Sequence, residues 1–422
     1  MQYHKKVLPN GLRVITVPMK DNPTVTVLVL VEAGSKYETK EKNGISHFLE
    51  HMCFKGTARR PSSSDISTEL DNVGSHYNAF TSQEYTGYYA KAEYRYLDEL
   101  LDVVSDMYLN PLFDENEIRK EKGVIIEEIN MYEDLPQRKV QLVFEELLYG
   151  NQPAGWNIAG SKENIKNIIR DDFVNYRKKF YTSHSTTVVV SGNVKEGEVV
   201  RKVEKIFSQV PELKRGKKLK VKDTQLTPAV ALFKKETDQV HLILGVRSFD
   251  AYDKRNSVLD VLAGVLSGGM SARLFKKMRD EMGICYYVRA NADKSTDCGN
   301  FSISAGVDSK RVKEAVAAII AELNKLRTEV VSPLELKKVK QHLIGTMYLG
   351  LESSDSLAEF FGSQEIINKP IRTADEIKKE IEAVTAKKVQ ALAKQLFIDK
   401  NLNLAIVGRF ESKADFESIL KF

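Results

Sequence analysis

The order of elements repeats along this chain, and that repetition constrains its fold more than any other feature. Thr24 to Glu32 is a run of β-branched and apolar residues, and Gln239 to Val246 is another. Each leads through a polar loop into a helix-like segment, Gly44 to Phe54 in the first half and Ser257 to Leu266 in the second. Phe113 to Glu117 opens a further helix, as Val331 to Glu335 does later. Each half then closes on an amphipathic helix and a Val- or Leu-rich strand ending in glycine, Thr186 to Gly192 and Leu402 to Gly408. Strands interspersed with helices, and strand segments that read as antiparallel, predict an α+β protein: two homologous domains, each an antiparallel sheet flanked by helices.

The 422 residues suffice for a core in each domain, and 42% hydrophobic with 29% charged residues is the composition of a globular chain. The boundary is expected in Pro211 to Pro228, which carries Lys214, Arg215, Lys217, Lys218, Lys220 and Lys222. No aromatic residue interleaves these cations, so the segment reads as a solvated linker and not as a nucleic-acid patch. The expected division is a first domain at 1–213, a basic linker at 214–227 and a second domain at 228–422. A net charge of +5 is too small to argue for nucleic acid or an anionic membrane. The longest apolar run, Val25 to Val31, falls far short of the ~20 residues of a membrane span. Strand-like sequence begins by Leu12, leaving no room for a signal or transit peptide, and Cys53, Cys285 and Cys298 lack metal-type spacing and form no disulfide framework. A cytoplasmic protein is the expectation, with an already processed organelle protein as the other reading.

The chemistry concentrates on one helix. At 100° per residue Ile45, Phe48, Leu49 and Met52 form an apolar stripe, while His47, Glu50 and His51 share the other side. Histidines at i and i+4 lie one turn apart on one face, where two imidazoles can converge on an ion. A second helix, Asp114 to Tyr132, starts with a capping pair (Asp114, Glu117) and buries Ile118, Ile125 and Ile129. Glu121 and Glu128, seven apart, line one edge of that stripe, whereas Glu127 points about 100° away, toward solvent. A glutamate from this helix would complete a His₂Glu set with water as fourth ligand. From these residues alone, solvated surface histidines and acids remain the alternative.

The order His47-Phe48-Leu49-Glu50-His51, Asn78-Ala79-Phe80-Thr81, Glu121-x₆-Glu128 resembles the inverted-motif zinc peptidases, the family of pitrilysin, insulin-degrading enzyme and the mitochondrial processing peptidase. Glu128 follows His51 by 77 positions (128 − 51) and Asn78 follows it by 27 (78 − 51), as in the family pattern. Leu8-Pro9-Asn10-Gly11-Leu12 and the run from Gly44 to Thr57 are similar to the short, processing-peptidase-like bacterial branch. The resemblance implies zinc on His47, His51 and Glu128, Glu50 as general base, and Glu121 behind one of the histidines. It also implies a peptide-holding edge strand at Asn78, Ala79 and Phe80. Arg279 and Tyr286, after the glycine-rich Gly268 to Phe275, would hold the substrate carbonyl opposite the zinc. In the second half Asp260, Ala263 and Gly264 fall opposite His47, Glu50 and His51, and Thr346 opposite Glu128, so that half has lost the metal. His76 is expected to be an exposed loop residue.

The function implied is a zinc endopeptidase cutting unstructured peptides or leader segments inside a closed clamshell chamber. Two domains make half of such a chamber, which implies a homodimer. A peptidase-like scaffold or a non-cleaving peptide binder is the rival.

Overall fold

The computed structural model describes residues 2–213, 215–410 and 412–422; Lys214 of the expected linker lies outside the described residues. The chain forms two compact units. The first is built on a six-stranded sheet of β1 (His4–Val7), β2 (Arg13–Pro18), β3 (Thr24–Val31), β4 (His76–Thr81), β5 (Thr86–Glu93) and β6 (Thr186–Gly192), in the order β1-β2-β6-β3-β5-β4. The second is built on β7 (Ala229–Lys234), β8 (Gln239–Ser248), β9 (Cys285–Lys294), β10 (Gly299–Asp308) and β11 (Asn403–Gly408), in the order β7-β11-β8-β10-β9. Without β1 the two orders are the same, so the repeat in the sequence is a repeat of topology.

Neither sheet is purely antiparallel. β2 pairs with β6 in parallel, Arg13 opposite Thr187, and β7 pairs with β11 in parallel, Ala229 opposite Asn403. The cause is geometric: the last strand of each half enters between two strands of opposite direction and must run parallel to one of them.

β3 is buried along nearly its whole length because both faces of its sheet are covered. Val25, Val27, Val29 and Val31 face the main core of the first unit, with Phe48, Leu49, Leu100 and Val104. On the other face lies helix Ser354–Ile366, whose Ser354 Oγ is 2.9 Å from Thr26 Oγ1 and whose Asp355 pairs with Lys91 at 2.7 Å. The second sheet is covered in the same way by helix Pro136–Tyr149, which packs Val140, Phe144 and Leu148 with Ile243, Ala405 and Val407. The units therefore do not coincide with halves of the sequence: residues 349–373 belong to the first unit and 130–156 to the second. A sheet apolar on both faces needs a cover on each, and here the second cover comes from the other half of the chain.

The basic segment also departs from a solvated linker. Arg215 Nε donates to the carbonyl of His184 at 2.7 Å, and the Lys218 ammonium, only 13% exposed, lies 2.9 Å from Glu84. No helix of the described residues is long and apolar enough to cross a membrane.

Candidate metal centre

The His-bearing helix runs from Ile45 to Cys53 and starts on Gly44, whose φ of +103° disfavours any side chain. Its free N–H groups are met by Glu38, whose carboxylate accepts from Gly44 N at 2.8 Å, Ser46 N at 2.7 Å and Asn43 Nδ2 at 2.9 Å. Burial pushes the Glu38 carboxyl up to about 7, against the pull of those donors. Ile45, Phe48, Leu49 and Met52 are fully buried, which presses the helix onto the core and leaves His47 and His51 half-buried on its other side. The second helix, Glu115–Asp134, is capped by Asp114, which accepts from the N–H groups of Asn116 and Glu117 at 2.9 and 3.1 Å. Glu117 pairs with Lys120 at 2.6 Å. Burial of Ile118, Ile125 and Ile129 turns Glu121 and Glu128 toward the histidines, while Glu127 is exposed.

Glu128 Oε2 lies 3.6 Å from both His47 Nε2 and His51 Nε2. Among the described residues these three form the only group of His, Cys, Asp and Glu placed to share a metal ion. Bonds of about 2.0–2.1 Å in tetrahedral array separate neighbouring ligand atoms by about 3.4 Å, so a zinc ion fits between them. The donor chemistry agrees. Glu121 Oε1 is 2.8 Å from His51 Nδ1, and a proton there leaves the lone pair of His51 on Nε2, facing Glu128. Lys55 holds the other Glu121 oxygen at 2.7 Å. Burial, with His51 close by, pushes His47 down to about 4, which keeps its ring neutral. Burial opposes charge on His51, but the Glu121 hydrogen bond and the Glu50 and Glu128 carboxylates raise it overall. Glu121 is resisted by burial yet held below the usual carboxylate range by His51 and Lys55.

Glu50 is 9% exposed and sits beside the ligand set, where burial raises its pKa. Thr81 Oγ1 donates to Glu50 Oε2 at 2.5 Å. Thr81 is the last residue of β4, the edge strand that also carries Asn78, Ala79 and Phe80 and pairs only with β5. A cleft of about 260 Å³ opens beside these three residues. His76 is exposed as expected but begins β4 and is not in a loop; its ring lies 5.9 Å from that of Tyr89. The Cys53 thiol is buried against Tyr88 and pushed up to about 12 by that burial.

The sequence alone assigns no role to Thr81, Lys55 or Glu38. Thr81 ends a motif that was visible, and Lys55 lies one turn beyond His51. Glu38 gives no local signal, because two of its three partners are backbone N–H groups.

In the second unit Arg279 and Tyr286 adjoin each other: Arg279 Nη1 donates to the Tyr286 carbonyl at 3.1 Å, and the guanidinium lies 5.5 Å from the Tyr286 ring. Tyr286 is 70% exposed. Helix Asn256–Ser267 carries Asp260, which pairs with Lys294, and Gly264, where a Cβ would come within 2.7 Å of Val339 Cγ1. Val339 lies on helix Pro333–Leu349, which also carries Thr346. Side-chain packing fills the ground between these two helices.

Comparison with known proteins bears on the same two regions. Residues 13–162 match the family described as Insulinase (Peptidase family M16), and residues 167–343 match the Peptidase M16 inactive domain. The chain is 36% identical over 393 residues to the uncharacterized zinc protease YmxG of Bacillus subtilis, covering 92% of this chain and 94% of that one. It is 31% identical over 415 residues to an uncharacterized zinc protease of Streptomyces coelicolor, covering 97% and 90%. Its fold is shared with the crystal structure of a protease from Helicobacter pylori, with a TM-score of 0.90 at 24% identity over 96% of this chain and 99% of that one. The metal of this family is zinc, and the chain belongs to peptidase family M16, the insulinase family.

Proposed function

We propose that this protein is a zinc-dependent endopeptidase acting on unstructured peptides or leader segments. The observation that carries the reading is the convergence of His47 Nε2, His51 Nε2 and Glu128 Oε2 within 4.8 Å of one another, with Glu50 fixed beside them. Bound there, zinc lowers the pKa of its water to ~7 and polarises a carbonyl oxygen. Glu50 takes the proton released on attack and passes it to the leaving amine. Burial raises its basicity, and the Thr81 hydroxyl, bonded to Oε2, fixes the orientation of the carboxylate. Glu121 holds His51 in the tautomer that offers Nε2. Asn78, Ala79 and Phe80 lie on a free sheet edge, where an extended peptide can add as a strand through main-chain hydrogen bonds, so shape matters more than sequence.

The proposal extends to a homodimer. Each chain supplies one candidate set of zinc ligands and one Arg279–Tyr286 pair, and two-fold pairing would let the pair of one subunit hold the substrate carbonyl oxygen opposite the metal site of the other. The test is metal analysis together with cleavage of an unstructured peptide by wild type and Glu50→Gln. About one zinc per chain, with cleavage lost in Glu50→Gln and zinc retained, supports the proposal. Peptide binding without cleavage by the zinc-loaded wild type refutes it in favour of a scaffold or a non-cleaving binder.

A further inference from the structure

We infer that Lys36, Glu84 and Lys218 are positioning residues that fix the turn carrying Thr81 and thereby orient Glu50; this rests on the reading of Glu50 as the base. The Lys36 side chain is fully buried, with Nζ 3.1 Å from Glu84 Oε1, and Lys218 Nζ is 2.9 Å from the same oxygen. The Glu84 side chain is itself 7% exposed. Burying three charges costs desolvation that apolar residues of the same volume would avoid, so stability is a poor reason for the cluster and fixed geometry a better one.

The geometry it fixes is the β4–β5 turn. Glu84 sits in the turn, which is closed by Ser82 N donating to the Tyr85 carbonyl at 2.9 Å and Tyr85 N donating to Ser82 Oγ at 3.0 Å. The segment carrying Lys36 is stitched to the turn from outside: Ser35 N donates to the Ser82 carbonyl at 3.3 Å and Lys36 N to the Gln83 carbonyl at 2.8 Å. The approach is so close that a Cβ on Gly34 would stand 2.3 Å from the Ser82 oxygen. Ser82 follows directly on Thr81, whose hydroxyl holds Glu50. Two residues beyond Lys36, Glu38 holds the N-terminus of the helix that bears Glu50 and both histidines. Residues 34–38 thus set both sides of the Thr81–Glu50 contact, and Lys218 locks them from the segment between the halves.

The test compares Lys218→Met, Lys218→Arg, Lys36→Met and Thr81→Val with wild type. It reads zinc content, kcat and KM on an internally quenched unstructured peptide, and amide exchange over residues 82–86. A misplaced catalytic group costs up to ~10²-fold, so Lys218→Met should lower kcat about tenfold to a hundredfold, with KM within about twofold and zinc retained. Loosening of the turn should speed exchange at 82–86 by about tenfold in Lys218→Met and Lys36→Met, and not in Thr81→Val, which should lose kcat alone. Lys218→Arg should keep wild-type kcat. If Lys36→Met fails to fold, Lys218→Met carries the test by itself. Wild-type kcat in Lys218→Met, unchanged exchange at 82–86, or joint loss of zinc and kcat each overturns the inference. A zinc-loaded wild type that does not cleave refutes the peptidase reading, and in that case the exchange measurement alone decides the anchor.

Discussion

Replacing Glu121 by alanine should weaken zinc binding without touching a ligand. In the structure Glu121 accepts from His51 Nδ1 at 2.8 Å and from Lys55 at 2.7 Å, and its side chain is 5% exposed. The substitution does two things at once. It frees the His51 ring to turn and to carry its proton on either nitrogen, and it leaves the Lys55 ammonium, 25% exposed, unneutralised near a divalent cation. Loss of such an outer partner typically costs 10–100-fold in metal affinity, about 1.4–2.7 kcal/mol, and the unpaired ammonium pushes the result to the upper end. The assay is zinc competition against a chromophoric chelator. Adding Lys55→Met to Glu121→Ala should recover part of the loss, since only the repulsion is removed, and the two effects couple because they share Glu121. Glu127→Ala, six residues along the same helix but exposed, is the control and should leave affinity unchanged. Zinc affinity of Glu121→Ala equal to wild type would refute the reasoning, for then the Glu121–His51 contact does not set the ligand.

Other outcomes follow from the same geometry. Glu128→Gln should lose zinc while Glu127→Gln keeps it; the reverse pattern in metal analysis would assign the ligand to Glu127. The Glu145 carboxyl in the second unit is pushed up to about 7 by burial and by nearby Asp293, so stability is full below pH 4.5 and is lost as pH rises through 7. Glu145→Gln should therefore raise stability by up to about 3 kcal/mol at pH 8 and change little at pH 4, as read by urea unfolding. Mixing inactive Glu50→Gln with inactive Arg279→Ala after dissociation and reassembly should restore about a quarter of wild-type activity, since half the dimers are mixed and each has one complete site of two; no recovery would mean that Arg279 does not act across subunits. Gly264→His should destabilise the protein by about 1–3 kcal/mol and bind no second zinc, because its side chain must displace Val339 and Leu343.

The convergence of the candidate metal ligands was legible because helical spacing carries it. Histidines at i and i+4 can only share a face, and Glu121 and Glu128 at seven apart can only share another, so the convergence needed one further fact, that the two helices meet. The strands that the apolar runs predict read almost to their ends, with Thr24 to Glu32 expected and Thr24–Val31 found, whereas β5, β9 and β10 carry no such run. What spacing could not reveal was long-range. The sequence shows that β3 is apolar on both faces, but not that the second cover is a helix some 330 residues away, since Thr26 and Ser354 share no local pattern. The parallel β2–β6 pair is equally silent, because a strand reads the same whichever neighbour it joins. Lys36 and Lys218 were misleading in a different way: a lysine in sequence reads as solvent-facing, and only the placement of Glu84 beside both makes their burial tolerable.

The second unit shows how little separates a metal site from a packed helix pair. Its helices Asn256–Ser267 and Pro333–Leu349 correspond in order to the two that carry the ligands in the first unit, and its sheet has the same strand order. In the first unit imidazoles and a carboxylate keep polar atoms at 3.6 Å, a spacing that a zinc ion can bridge. In the second, Ala263 and Gly264 remove the side chains, and Val339 and Leu343 occupy the space. Apolar contact there satisfies the fold without any metal. The converse holds for the first unit, where the carboxylates of Glu50, Glu121 and Glu128 gather around two half-buried histidines. Zinc bound by His47, His51 and Glu128 would add cohesion there, and its removal should then lower the stability of the first unit, as read by thermal unfolding with and without a chelator.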